Sequence, residues 1–218
     1  MLPLKQTKEP LGKSSEAHPT AFSTQQGEKE ILITGFGGQG IIMIGSILGK
    51  AATIYDLKHA TMIQAFGPEA RGGSCSSQVV ISEKEILFPY VQRPQVMICM
   101  SQEGFEKNIT FLPAGGLLIW DTDLVNIRNL DPSWRTYHIP ATRFAEELGN
   151  KMMANIVMLG FLSSVSELVQ VESLRQAMVS SVPGKTREGN SKAFDRGREY
   201  GEAILKSRAK LDQSPETA

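Results

Sequence analysis

The chain has 218 residues, 41% of them hydrophobic, and carries 23 basic and 23 acidic side chains for a formal net charge of zero. That length supports one domain with a sizeable core, and the charge balance gives no global electrostatic drive toward nucleic acid or an anionic membrane. Two cysteines, Cys75 and Cys99, are too few for an iron–sulfur cluster, which takes about four thiolates, and the three histidines are not spaced with them for zinc.

Residues 1–27 contain Pro3, Pro10 and Pro19 and few large apolar side chains. They are expected to form a flexible extension, because they bury too little to offset their ordering entropy. They also lack the apolar core of a signal peptide. No apolar run nears the ~20 residues that cross a bilayer, so the expected location is cytoplasmic, with no membrane and no nucleic acid as partner.

The folded unit is expected over 28–208, with 209–218 as a flexible tail. Glu30-Ile-Leu-Ile-Thr34 reads as a strand. It runs into Gly35-Phe-Gly-Gly-Gln-Gly40, and then into a helical stretch from Ile41 to Tyr55. Strand, glycine turn and helix in that order open a doubly wound sheet. Further strands are predicted at His59–Ala65, Ser76–Ser82, Gln95–Met100, Gly116–Asp121 and Arg135–Ile139. The third and fourth of these look buried on both faces, as in a parallel sheet. Thr142–Leu148 reads as a helix. Met152–Val169 is apolar nearly all round, which predicts a helix buried at a domain or subunit boundary. Phe194, Gly197, Gly201, Ile204 and Leu205 share one face of a last helix. The expected fold is α/β: a single Rossmann-like domain with a mostly parallel sheet flanked by helices.

The glycine turn is the best local signal. Glycine permits positive φ and close backbone approach, and a helix N-terminus presents N–H groups that suit a phosphate. Gly35-x-Gly37-x-x-Gly40 has the spacing of a dinucleotide fingerprint. The acidic residue that fingerprint wants, Asp56, precedes the second strand instead of following it. A tight turn that only packs helix on sheet explains the glycines equally well. A second cluster, Phe66-Gly-Pro-Glu-Ala-Arg-Gly-Gly-Ser74, holds Glu69 and Arg71. Arg71 suits a bidentate contact to phosphate or carboxylate; an internal Glu–Arg clamp is the alternative. Asn155, polar at the start of an apolar helix, suits either an amide contact or a buried hydrogen bond. Asn190 reads as the N-cap of the last helix. Met152, Met153 and Met158 read as fillers of a core or interface, and no catalytic residue or metal ligand is predicted.

Ile33-Thr-Gly-Phe-Gly-Gly-Gln-Gly40 and Phe66-Gly-Pro-Glu-Ala-Arg-Gly-Gly73 resemble the γ subunit of 2-oxoacid:ferredoxin oxidoreductases. The likeness continues through Ala154-Asn-Ile-Val-Met-Leu-Gly160 and Asn190-Ser-Lys-Ala-Phe-Asp-Arg-Gly197, covering about residues 30 to 202. The short chain is most similar to the γ subunit of a 2-oxoglutarate-type enzyme; pyruvate, branched-chain 2-oxoacids and indolepyruvate are the other family substrates. The resemblance implies an inactive-alone subunit of a complex that converts a 2-oxoacid and coenzyme A to acyl-CoA and CO2, with electrons passed to ferredoxin. It places thiamine diphosphate and Mg on α and β partners and iron–sulfur clusters on partner subunits, including a ferredoxin-like one. It also implies that this chain helps form the coenzyme A site, through Gly37, Gly38, Gln39, Gly40, Arg71, Asn155 and Asn190. A free-standing nucleotide-binding protein and a purely structural subunit are the competing readings.

Overall fold

The computed structural model describes residues 27–67 and 73–212. Six strands form one sheet: β1 (Lys29–Phe36), β2 (His59–Phe66), β3 (Ser74–Ser82), β4 (Val96–Cys99), β5 (Leu117–Asp121) and β6 (Arg135–Ile139), in the order β2-β3-β1-β4-β5-β6. All six lie where the sequence places them. β1, β4, β5 and β6 run parallel, whereas β3 is antiparallel to both β1 and β2. The sheet is therefore mostly parallel, with one reversed strand inserted beside β1.

The apolar runs are continuous because both faces of the sheet are covered. Ile31, Ile33, Val96, Ile98, Leu117 and Ile119 point into the larger core. Their neighbours Leu32, Met97, Cys99, Leu118 and Trp120 point into a smaller core on the other face. Alternation at period two thus divides each strand between two cores. The helices are α1 (Ile41–Lys50), α2 (Gln102–Asn108), α3 (Ala141–Glu147), α4 (Ala154–Val165), α5 (Val171–Ser181) and α6 (Arg187–Asp212). Residues of α1, α3, α4, α5 and α6 share the larger core, and Phe105 of α2 packs on the smaller one.

Three expectations need revision. The apolar helix α4 needs no partner subunit to cover it: Ala154 to Ser163 are all buried within this chain. It packs against α6 at backbone distance, since a Cβ at Gly160 would lie 2.0 Å from the Phe194 carbonyl oxygen and one at Gly197 would lie 1.9 Å from that of Val157. The apolar run also ends sooner than expected, at Val165, and α5 follows as a separate helix. Finally, α6 continues to Asp212, beyond the boundary expected at 208.

Buried polar groups tie strands to helices. Asp121, at the end of β5, accepts hydrogen bonds from the Thr142 N–H at 2.9 Å and hydroxyl at 2.6 Å, and from the Asp123 N–H at 3.0 Å. Burial outweighs these bonds and raises its carboxyl above the ordinary carboxylate value. Among the described residues, no helix is long and apolar enough to cross a membrane.

Candidate functional site

The site grows from the glycine turn at the carboxyl end of β1. Gly38 has φ 95° and Gly40 φ 76°, conformations that favour glycine. Gly40 is the N-cap of α1, with no side-chain cap and no acidic residue in the first turn. The first N–H groups of a helix have no intrahelical acceptors, so those of α1 remain available. A Cβ at Gly40 would lie 2.1 Å from Asn155 Nδ2, whereas one at Gly38 would meet nothing within 4 Å among the described residues. Gly40 therefore admits Asn155 against the turn, and Gly38 faces open space.

Gln39 has a different task. Its Oε1 accepts from the Phe36 N–H at 2.6 Å, and its Nε2 donates to the Met100 carbonyl at 2.9 Å. The side chain bridges the ends of β1 and β4, the strands whose following helices α1 and α2 lie on opposite faces. In a doubly wound sheet that switch point is the usual ligand crevice; here an internal amide spans it. Asp56, the acid of the dinucleotide fingerprint, accepts the Gln170 N–H at 2.9 Å, immediately ahead of α5.

The space above the turn lies to one side of that crevice. A cavity of about 470 Å³ is lined by Gly38, Gly40 and Met43 from the turn and α1, by Met153 and Asn155 at the start of α4, and by Thr186, Gly189 and Asn190 at the start of α6. Three helices thus begin at one cavity, and each contributes partial positive charge there. Lys185 also lines it, and no carboxylate does among the described residues. Met152, 63% exposed, and Val182 supply apolar wall.

Of the residues singled out from sequence, Gly38, Gly40, Asn155 and Asn190 come together at this cavity. Asn155 is 4% exposed; its Oδ1 accepts the Ile156 N–H, and among the described residues its Nδ2 has as hydrogen-bond partner only the Met43 sulfur, at 3.7 Å. Asn190 is not the cap of α6, because the helix begins three residues earlier, at Arg187. Its Nδ2 instead donates back to the Thr186 carbonyl at 2.8 Å. Gly37 and Gln39 do not line the cavity; the Gly37 N–H donates to the Gly73 carbonyl at 2.9 Å. Glu69 and Arg71 lie outside the described residues. Of the residues that flank them, Gly73 is held to the glycine turn by that bond, and the Gly67 N–H donates to the Ser74 carbonyl at 2.7 Å.

Sequence reasoning missed Asn150, Lys185 and Thr186, all three of which line the cavity. The available signal was the turn Val182-Pro-Gly-Lys-Thr186 ahead of a long amphipathic stretch. The cysteines do not suit metal ligation: burial pushes the Cys99 thiol up to about 12 and also raises that of Cys75, and a ligating sulfur must be a thiolate. His138, beside Trp120, is lowered first by burial and then by the nearby Arg208 charge.

The chain matches the family model "Pyruvate ferredoxin/flavodoxin oxidoreductase" over residues 30–200. It is 44% identical over 178 residues to the 2-oxoglutarate synthase subunit KorC of Methanocaldococcus jannaschii, covering 81% of this chain and 95% of that protein. Among solved structures it resembles the keto/oxoacid ferredoxin oxidoreductase γ subunit of Geobacter sulfurreducens, at 35% identity and a TM-score of 0.71 over 80% of this chain and 99% of that one. It shares its fold with 2-oxoglutarate:ferredoxin oxidoreductase of Magnetococcus marinus, described with 2-oxoglutarate, coenzyme A and succinyl-CoA bound, at 21% identity and a TM-score of 0.71 over 82% of this chain and 32% of that one. The sheet order, the glycine turn and these similarities together place the chain in the pyruvate ferredoxin/flavodoxin oxidoreductase family.

Proposed function

We propose that this chain is the γ-type subunit of a cytoplasmic 2-oxoglutarate:ferredoxin oxidoreductase and that its cavity holds part of coenzyme A. The substrate reading rests on the 44% identity to KorC subunits from more than one methanogen. The site reading rests on one observation, the convergence of three helix N-termini on a cavity without carboxylates among the described residues. Coenzyme A is anionic at its nucleotide end and apolar along part of its arm, and the cavity has both kinds of wall.

The complex joins a 2-oxoacid and coenzyme A into acyl-CoA and CO2 and passes two electrons to ferredoxin. Thiamine diphosphate, Mg and the iron–sulfur clusters belong to the α, β and ferredoxin-like partners, and the first supplies the chemistry of decarboxylation. This chain's part is binding and orientation. Backbone N–H groups around Gly38, Gly40 and the start of α1 take a phosphate, Asn155 donates to an acceptor on the ligand, and Met43, Met152 and Val182 pack on apolar atoms. Arg71 adds a charged contact. Gln39 holds the turn in place from behind.

The test separates the two half-reactions of the assembled complex. Gly38→Val puts a Cβ where the ligand approaches, and Arg71→Ala removes a charge-assisted contact. Each is expected to raise the Michaelis constant for coenzyme A by about tenfold or more, with 2-oxoacid decarboxylation nearly unchanged. Equal loss in both halves would mean that the residues serve assembly alone.

A further inference from the structure

Lys185 remains to be explained. It sits on a short turn, Gly184–Thr186, between α5 and α6. The turn is held by the Thr186 N–H and hydroxyl, both donated to the Pro183 carbonyl at 2.9 and 3.0 Å, and by Asn190 Nδ2 on the Thr186 carbonyl. Lys185 is exposed and lines the cavity, and it has no acidic partner among the described residues. The adjacent carboxylate, Glu188, is already engaged by Lys192 at 2.7 Å. Lys185 is thus a cation at a cavity that no carboxylate lines among the described residues.

The cavity has two positive poles. At the glycine turn the donors are backbone N–H groups, and Gly38 leaves room for close approach. At the other pole the start of the 26-residue helix α6 is joined by the full charge of Lys185. Between them lies Asn155, more than nine-tenths buried, whose Nδ2 finds among the described residues no hydrogen-bond partner but a thioether. That amide has donor capacity left over and calls for an acceptor from a ligand.

We propose that Lys185 reads the 3′-phosphate of coenzyme A, so that the cavity distinguishes coenzyme A from dephospho-coenzyme A. This rests on the reading of the cavity as a coenzyme A site. The two poles match the two anionic groups of that ligand. A diphosphate spreads its charge along a chain that backbone donors can follow. A phosphate monoester is a compact group of charge about −1.5 to −2 at neutral pH, and lysine meets it as a compact, mobile point charge.

The experiment uses the assembled complex with Lys185→Gln and Lys185→Arg, and titrates coenzyme A and dephospho-coenzyme A separately. The wild type should prefer coenzyme A. Lys185→Gln should raise the Michaelis constant for coenzyme A about tenfold, leave that for dephospho-coenzyme A within about twofold, and so erase the preference; Lys185→Arg should keep it. The preference should also shrink as salt is raised, because an exposed pair is screened. An equal shift for both ligands, no shift for either, or a wild type without preference overturns the role of Lys185. Gly38→Val then tells the two ideas apart. If it still weakens both ligands, the cavity holds coenzyme A by its other contacts; if it weakens neither, the cavity reading falls as well.

Discussion

Glycines crowd two regions of this molecule for opposite reasons. Along the seam of α4 and α6, Gly160 and Gly197 bring backbone to within side-chain-free distance of backbone, and Gly201 does the same against the Ser164 hydroxyl. Missing Cβ atoms there are replaced by protein. At the turn between β1 and α1, the space a Cβ at Gly38 would take holds nothing within 4 Å among the described residues, and the residue is fixed by its positive φ. Missing atoms there leave room. The same residue type thus marks a packing seam in one place and a candidate ligand cradle in the other, and only the surroundings tell them apart.

The comparison predicts different readouts. Gly160→Ala and Gly197→Ala should cost the most, about 3 kcal/mol each, because the new methyl meets fixed backbone and overpacking outweighs the gain in helix propensity. The unfolding midpoint in denaturant measures this. A midpoint equal to the wild type would show that the two helices separate at little cost, and the distinction between seam and cradle would fail.

Gln39→Glu comes next. A carboxylate keeps the acceptor for the Phe36 N–H but loses the donor to the Met100 carbonyl. Leaving that carbonyl unpaired and facing a charge should cost about 1–3 kcal/mol. The same variant should weaken coenzyme A, because the turn loses its brace, while Gln39→Met at equal stability would separate brace from charge. If Gln39→Glu destabilises the chain and leaves the coenzyme A dependence intact, the brace serves folding only.

Much of this was legible beforehand. The central strands could be read because their residues carry a burial signal of their own: Val96–Met100 and Leu117–Trp120 are apolar throughout because two cores share them. The reversal of β3 could not, since Ser74–Ser82 alternates in the same way whichever direction it runs. The helix α5 was missed because its buried stripe is thin, Ser173, Leu174, Ala177 and Met178 among polar neighbours. Gly38, Gly40 and Asn155 were found from their local setting, at a turn and at a helix start. Lys185 was not, because nothing in Val182-Pro-Gly-Lys-Thr186 says that Gly40, some 145 residues away in sequence, faces the same cavity. Gln39 was read as a ligand contact because its partner, the Met100 carbonyl, is distant in the chain.

The smallest effect should carry the opposite sign. Gly49 lies inside α1, and among the described residues a Cβ there would meet nothing within 4 Å, as at Gly38. Its φ lies outside the left-handed range, however, so an alanine adopts it without strain. Neither reason found elsewhere for glycine then applies: no backbone is close, and no special conformation is needed. Alanine should restrict the unfolded chain and improve helix propensity, stabilising the protein by about 0.5–1 kcal/mol. Coenzyme A dependence should not change, since Gly49 is far along α1 from the cavity. A stabilised, fully active Gly49→Ala would show that open space alone does not make a glycine functional. It would leave positive φ at the mouth of the cavity as what sets Gly38 apart. A destabilised Gly49→Ala would mean instead that a further surface, outside the described residues, approaches α1 at this point.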